Sequence, residues 1–320
     1  MLRQLRAMGA DPPFADLRRA HGVAMEGYFW RLSDPRSGVV VVALCGVCRA
    51  ADGPWATVAL GAHPGGFLRW ADIPVALAAP NRFAVRAGDG ALVAGPDELT
   101  VNLGADARLH VRFSDRRDWP RRRALGGCGP AHLLPGLGQY WHPHLLGATV
   151  RGEAALGPDV VTLDGSQAYA EKNWGAGGFP PRWWWGQAQA FDRPDVCVAF
   201  AGGDLRIGPA TVQATSLVVA IGDEVIRLGN PALAPAQTSA TDGHWAVRAR
   251  GPRFSVDLDA TATRGKAYVL PVPMPAARRS VPAAHEHLAG QLALVLRRRG
   301  RVIYAGESGL AGLEVGAATG

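Results

Sequence analysis

Lysine is almost absent from this chain, although the chain is basic. Only Lys172 and Lys266 are lysines among 34 lysine and arginine residues, and the formal net charge is +7 with a pI near 9.7. Nucleic-acid-binding proteins usually cluster their basic residues, whereas these arginines are scattered apart from one dense run at Arg116 to Arg123. We therefore expect no nucleic-acid partner. Attraction to an anionic membrane and an arginine-rich surface without a ligand both stay open.

Cysteine is also scarce, with four residues in the chain: Cys45, Cys48, Cys128 and Cys197. The Cys45-x-x-Cys48 pair lies at the end of the apolar run Val39–Val47. A zinc or redox pair would need a second pair, or a turn leading into a helix. The cysteines are therefore predicted to be buried thiols, and neither a metal nor a cofactor is expected.

Long hydrophobic runs and nucleotide or hydrolase motifs are absent as well. The longest uncharged stretch, 124–150, is broken by Pro130, Pro135 and Pro143, which a membrane helix would not tolerate. The first 19 residues are charged and contain no apolar segment typical of a signal peptide. No glycine-rich phosphate loop, Gly-x-Ser-x-Gly elbow or His-Glu-x-x-His pair occurs. These absences favour a cytoplasmic protein, with peripheral membrane contact left open and the oligomeric state unspecified.

Glycine and proline are abundant, with 41 and 24 residues, in a chain that is 48% hydrophobic. Short aromatic or β-branched runs alternate with turn residues, as in 28–32, the turn 34–38 and the apolar run 39–44. Such a pattern is typical of β-hairpins. Its recurrence along the chain predicts an all-β fold of barrels or sandwiches, with helix below about a fifth of the residues against the usual third.

The hairpin pattern recurs about half the chain later. The aromatic run 183–191 is followed by the turn 192–195 and the apolar run 196–200, which matches the order of the first hairpin. Self-similarity at this distance indicates a duplicated unit. We therefore predict two similar β-barrel domains, residues 1–163 and residues 164–320, with the second carrying the motif described next.

The most unusual stretch is Tyr169-Ala-Glu-Lys-Asn-Trp-Gly175, followed by an aromatic run at 183–185. Together they hold four of the ten tryptophans and one of the two lysines. They are interpreted as two neighbouring strands joined by a Gly/Pro loop. Because side chains alternate along a strand, Tyr169, Glu171 and Asn173 should share one face, with Lys172 and Trp174 on the other.

On the following strand, Trp183, Trp185 and Gln187 should share a face. Large aromatics mixed with amides suit a cavity for a mostly apolar ligand with a few polar atoms, because a buried amide needs hydrogen-bond partners. A barrel face with a structural polar network is the alternative interpretation.

Residues 168–175 and 179–187 resemble the signature motif of the tocopherol cyclase family. The segment 25–30 is similar to the N-terminal Glu-Gly-aromatic segment of that family. The segment 312–316 near the C-terminus also resembles the family. The resemblance implies two lipocalin-like antiparallel β-barrel domains related by an internal repeat. It also implies a cofactor-independent enzyme, an intramolecular lyase or isomerase, that cyclises a prenylated hydroquinone or related isoprenoid to a chromanol-type ring by alkene protonation.

The related carotenoid 1,2-hydratases are similar at one point, an aromatic residue, one spacer and an acid ahead of Asn-Trp-Gly. They also use an upstream histidine, whose counterpart here would be His142 or His144. The resemblance therefore implies Glu171 as the general acid, Tyr169 and His142 as proton partners, and Asn173 as an orienting group. Glu26 is an alternative acid.

The remaining residues that the resemblance and the face pattern assign to substrate binding are Trp174, Trp183, Trp185, Gln187, Glu26, Tyr28, Trp30 and His144. The expected partner is a hydrophobic small molecule. Two other functions stay open: a carrier of an apolar isoprenoid, and a hydratase or cyclase of another natural product.

Overall fold

The computed structural model describes residues 2–176, 179–207, 210–230 and 233–317. Strands make up 63% of these residues and helices 4%. The helical parts are α1 (Leu2–Ala7) and two 3₁₀ turns, Gly129–Leu133 and Pro275–Ala277. The all-β prediction is therefore confirmed.

The chain divides into two units. Unit 1 contains Met1–Gly126, Ala131–Gly178 and Leu270–Pro282, and unit 2 contains Gly127–Pro130, Phe179–Val269 and Ala283–Gly320. This differs from the division at residues 163 and 164, and it assigns the Tyr169–Gly175 motif to unit 1. The physical reason is strand pairing, because the strand that carries the motif hydrogen-bonds to strands from the first half of the chain.

Unit 1 is built on a twelve-stranded sheet. Its strands are β1 (Met25–Asp34), β2 (Val39–Ala50), β3 (Gly53–His63), β4 (Phe67–Ile73), β5 (Ala76–Ala78), β6 (Val85–Ala87), β7 (Leu92–Ala94), β8 (Glu98–Asn102), β9 (Ala107–Asp118), β10 (Tyr140–Leu156), β11 (Asp159–Thr162) and β12 (Gln167–Gly175). The order is β4-β3-β2-β1-β12-β10-β9-β8-β7-β6-β5, with β11 added beside β10. Because β5 lies against β2 and β3, the sheet forms a nearly closed barrel.

A second, ten-stranded sheet forms unit 2, except for its residues 270–282, which are assigned to unit 1. Its strands are β13 (Arg182–Ala188), β14 (Cys197–Ile207), β15 (Ala210–Ile221), β16 (Glu224–Leu228), β17 (Ala236–Thr241), β18 (His244–Arg250), β19 (Phe254–Thr261), β20 (Tyr268–Met274), β21 (Arg279–Arg298) and β22 (Arg301–Ala317). The order is β16-β15-β14-β13-β22-β21-β19-β18-β17, with β20 beside β21. The Thr215 and Thr238 hydroxyls are 2.7 Å apart, so β17 also approaches β15.

The chain connects the strands of the two sheets in a similar order. In unit 1 the meander β1–β4 is followed by further strands, the last of which, β12, returns beside β1. In unit 2 the meander β13–β16 is followed by strands that end with β22 beside β13. The hairpins that predicted the repeat, β1–β2 and β13–β14, therefore hold equivalent places. The motif strand β12 and the aromatic strand β13 belong to different sheets, which corrects the expectation that they are neighbours.

Candidate functional site

The strand β12 lies in the middle of the unit 1 sheet, between β1 and β10. Glu171 stands opposite Phe29 on one side and Pro143 on the other, while Lys172 stands opposite Tyr28 and His142. Cross-strand partners point to the same side of a sheet. The side chains of Phe29 and Pro143 therefore lie on the same face as Glu171, and those of Tyr28 and His142 lie on the same face as Lys172.

The barrel interior is on the Lys172 side. Ala168 and Ala170 of β12, together with Tyr28 and Trp30 of β1, are buried in the main apolar core of unit 1. The face that carries Tyr169, Glu171 and Asn173 is the opposite one, which we call the outer face of the sheet.

On the outer face, two side chains form a short hydrogen bond. The Tyr169 hydroxyl donates to Glu171 Oε2 at 2.6 Å. Tyr169 is fully buried and Glu171 is 4% exposed. The pair can therefore share a proton away from bulk water.

Asn173 lies on the same face, over the backbone of Gly27. A Cβ atom added to Gly27 would be only 2.4 Å from Asn173 Oδ1. The glycine at this position of β1 is therefore what leaves room for the amide.

On the interior face, Lys172 and Glu26 form a buried ion pair. The distance from Lys172 Nζ to Glu26 Oε2 is 2.7 Å, and the side chains are 0% and 1% exposed. The ammonium also donates to the carbonyl of Arg19 at 2.7 Å, and it is 2.8 Å from His21 Nδ1. The Glu26 carboxylate accepts the backbone N–H groups of His21 and Gly22.

These contacts fix the charge state of Glu26. Burial acts to raise the pKa of Glu26, but the charge of Lys172 and the hydrogen bonds from His21 outweigh it and hold that pKa below its ordinary value. Burial lowers the pKa of Lys172, and the Glu26 carboxylate opposes this effect. Glu26 is therefore an anion at neutral pH and a poor source of protons.

The two histidines of β10 also face the interior. The His142 ring is 5.1 Å from the Trp119 ring, and the His144 ring is 5.1 Å from the Phe83 ring, both edge-on. Burial, followed by the charges of neighbouring histidines and Arg18, holds the pKa of His142 well below its ordinary value, and burial and Arg18 do the same for His144. Both imidazoles are therefore neutral at pH 7.

The N-terminal segment packs against Trp174, near the end of β12. The Trp174 indole N–H donates to the Gly9 carbonyl at 2.8 Å. Gly9 has a positive φ of 90°, and a Cβ there would be 2.3 Å from the Tyr140 ring, so only glycine fits. The Trp174 ring stacks on His21 at 4.2 Å and on Tyr140 at 5.4 Å.

The predicted site residues therefore fall into three groups. The outer face of unit 1 carries Tyr169, Glu171 and Asn173, and the interior carries Glu26, Tyr28, Trp30, His142, His144 and Trp174. Because the sheet separates His142 from Glu171, the expected relay of Glu171, Tyr169 and His142 is not brought together.

The third group lies in unit 2. Trp184 and Ala188 of β13 are buried in the core of that unit, so Trp183, Trp185 and Gln187 occupy the other face. Trp183 Nε1 donates to Glu314 Oε1 at 2.5 Å, and Gln187 Nε2 is 3.7 Å from Cys197 Sγ. On the core face of β13, the Phe200 ring lies over Gly186.

Sequence reasoning missed the partners of Lys172 in the N-terminal segment. Asp11, a buried residue, pairs with His21 and with Arg6, and His21 in turn contacts Lys172. The rarity of lysine was the available signal, but nothing in the sequence indicated that the segment 11–21 would pack against Lys172.

Within the described residues, no group of three His, Cys, Asp or Glu side chains is arranged to hold a metal ion. Cys45, Cys48 and Cys197 are buried thiols that form no disulfide, as predicted, whereas the Cys128 thiol is half-buried. None of the helices described is long and apolar enough to cross a lipid bilayer.

Comparison with solved structures supports the fold. A crystal structure of CghA with Sch210972 matches with a TM-score of 0.62 at 10% identity, covering 93% of this chain and 89% of that one. Kievitone hydratase from Nectria haematococca matches with a TM-score of 0.55 at 10% identity, covering 94% and 91%. At such low identity these likenesses show the fold alone.

Comparison of sequences adds the family. A probable chloroplastic tocopherol cyclase of Oryza sativa subsp. japonica is 28% identical over 193 residues, which are 57% of this chain and 40% of the rice protein. This chain thus aligns with well under half the length of that relative. Residues 137–317 match the family described as tocopherol cyclase-like, and this match includes both β12 and β13. Since it spans more than half of the chain, the chain belongs to the tocopherol cyclase-like family.

Proposed function

We propose that this protein is a cyclase that acts on an apolar isoprenoid substrate by proton transfer, with Glu171 as the general acid. The observation that carries the proposal is the 2.6 Å hydrogen bond between Tyr169 and Glu171, both buried on one face of the family motif. Burial disfavours the charged form of a carboxyl group. A buried carboxyl with a phenol partner is therefore suited to hold a proton and deliver it.

The proposed reaction is an isomerisation. The Glu171 carboxyl gives its proton to one carbon of a trisubstituted alkene, and the other carbon becomes a tertiary cation. The phenol oxygen of a prenylated hydroquinone attacks that cation and closes the ring. The oxygen then loses its proton to the Glu171 carboxylate, directly or through the Tyr169 hydroxyl, so the acid is regenerated and no atoms are gained or lost.

The choice of Glu171 over Glu26 follows from their partners. Glu26 is held as a carboxylate by Lys172 and by two backbone N–H groups. Tyr169, in contrast, is an uncharged partner that can pass a proton in either direction. The resemblance to the family motif is the ground for proposing Trp183, Trp185 and Gln187 of β13 as substrate contacts.

An apolar substrate would dissolve in lipid rather than in water. The proposal therefore includes peripheral contact with a membrane, from which the protein would take its substrate.

The test is incubation of the purified chain with prenylated hydroquinones of different chain length. A product of unchanged mass and altered retention time is the result expected of a cyclase. A gain of one water would indicate a hydratase, and binding without any product would indicate a carrier. The last two results would contradict the proposed cyclisation.

A further inference from the structure

One end of unit 1 exposes large apolar side chains to solvent. Met8 is 49% exposed, Phe14 69%, Leu133 43% and Leu134 55%. Single exposed apolar residues are normal on any protein. Several in one place mark an interaction surface.

The backbone brings these residues together. The N–H of Asp11 donates to the His132 carbonyl at 2.8 Å, and that of Gly136 donates to the Met8 carbonyl at 2.9 Å. The segment 8–14 therefore runs beside the segment 132–136. The exposed leucines come from one segment, and Met8 and Phe14 come from the other.

Arginines adjoin this group. The N–H of Phe14 donates to the Ala124 carbonyl at 2.8 Å, directly after the arginine run. Arg121 and Arg122 in that run are exposed. Arg116, at the start of the run, is instead paired with Asp97 and Asp118. We call Met8, Phe14, Arg121, Arg122, Leu133 and Leu134 the apolar-basic surface.

Besides the exposed side chains, the backbone conformation of Phe14 also indicates a binding surface. Its φ of 68° lies in the left-handed region, which is unfavourable for a bulky residue. Strain is normally offset by packing, yet this ring is mostly in solvent. Backbone strain of this kind is concentrated at binding and active sites, which fits a ring that is held out to contact a partner.

We propose that the apolar-basic surface docks on a membrane that contains anionic phospholipid. Apolar side chains beside exposed arginines match the two layers of a membrane surface. The Phe14 ring, Met8 and the two leucines can enter the acyl boundary while the guanidinium groups contact the phosphates. The proposal rests on the proposed function only for its purpose, since docking would let the protein collect an apolar substrate.

The experiment is co-sedimentation of the full chain with vesicles of phosphatidylcholine alone, and with vesicles that also contain phosphatidylserine. Binding should be stronger to the anionic vesicles and should fall as salt is added. The double variant Arg121→Ser with Arg122→Ser should bind the anionic vesicles about 30-fold more weakly, which corresponds to about 1 kcal/mol for each basic group near the surface. Phe14→Ser with Leu134→Ser should weaken binding to both kinds of vesicle.

The controls come from elsewhere in unit 1. Arg86 and Arg112 are exposed, and Leu77 is 58% exposed. The variants Arg86→Ser with Arg112→Ser, and Leu77→Ser, should bind like the wild type. Equal binding to both vesicle types, no binding to either, or an equal loss in the control variants would each overturn the proposal.

Vesicle binding is measured without any reaction, so it is separable from catalysis. A protein that binds anionic vesicles but converts no hydroquinone would retain the docking surface and lose the proposed function. A protein that converts detergent-dispersed substrate but does not bind vesicles would support the proposed function and contradict the docking surface.

Discussion

Glu26 and Glu171 are both almost completely buried, on opposite faces of one sheet in unit 1. On the interior face, Glu26 meets an ammonium group and two backbone N–H groups. On the outer face, Glu171 accepts a hydrogen bond from a phenol. Burial is therefore nearly the same for the two carboxyl groups, and the chemistry of their partners differs.

Burial alone therefore does not identify a general acid. A carboxyl that is fixed as an anion by a buried cation has a structural role, because removal of either partner leaves the other charge buried and unpaired. A carboxyl that is hydrogen-bonded to a neutral proton carrier can change its protonation state during a reaction. Substitutions on each face test whether the two faces have these separate roles.

The largest effect is expected from Glu171→Gln. The amide preserves the size of the side chain but cannot deliver a proton, so turnover should fall by about 10²–10⁴-fold, the usual contribution of general-acid catalysis. Rates of product formation from a hydroquinone identified as a substrate would measure it, and the circular dichroism spectrum should stay that of the wild type.

Glu26→Gln is the matched control for Glu171→Gln, since it makes the same chemical change on the other face. Its main effect should be on the free energy of unfolding, with turnover of the remaining folded protein close to that of the wild type. If Glu26→Gln abolished turnover in folded protein and Glu171→Gln did not, the two roles would have to be exchanged.

The next largest effect is expected from breaking the buried ion pair. Lys172→Met leaves the Glu26 carboxylate buried without its cation, which should lower the free energy of unfolding by about 3–5 kcal/mol. Urea unfolding followed by tryptophan fluorescence would measure this. The double variant Glu26→Gln with Lys172→Met should recover part of the loss, because no unpaired charge remains. A double variant as unstable as the sum of the two single variants would contradict a coupled pair.

A smaller and graded effect is expected from pH. The pKa values of His142 and His144 are lowered by burial in the folded chain. The unfolded chain therefore binds more protons than the folded chain below about pH 6.5, and stability should be present above that pH and fall as the pH decreases. Each histidine can contribute a loss of up to about 1.4 kcal/mol for each further pH unit.

Unfolding measured between pH 8 and 5 would test this linkage. The slope should flatten in His144→Phe, which cannot be protonated. Replacement of the exposed His110 by Phe serves as the control and should leave the slope nearly unchanged. An unaltered slope in His144→Phe would show that the interior histidines do not govern the acid response.

Much of this arrangement could be predicted from the sequence, because strand periodicity is a local property. The alternation along β12 placed Glu171 and Lys172 on opposite faces correctly, and the turn residues around 34–38 located the first hairpin. Which face became the interior depended on the whole barrel, and in particular on where the N-terminal segment packed. That is why His142 was grouped with Glu171, although its cross-strand partner is Lys172.

The smallest effect is expected at Gly27, and it asks whether the outer face is built to hold Asn173 in place. A Cβ in Gly27→Ala would come within 2.4 Å of Asn173 Oδ1, so the amide must move. Because the amide is the free end of a side chain, the loss of stability should be only about 1–3 kcal/mol, while turnover should fall if the position of Asn173 matters. Adding Asn173→Ala removes the obstructing atoms and should restore stability without restoring turnover. Full activity in Gly27→Ala would show that Asn173 fills space on this face and does not orient the substrate.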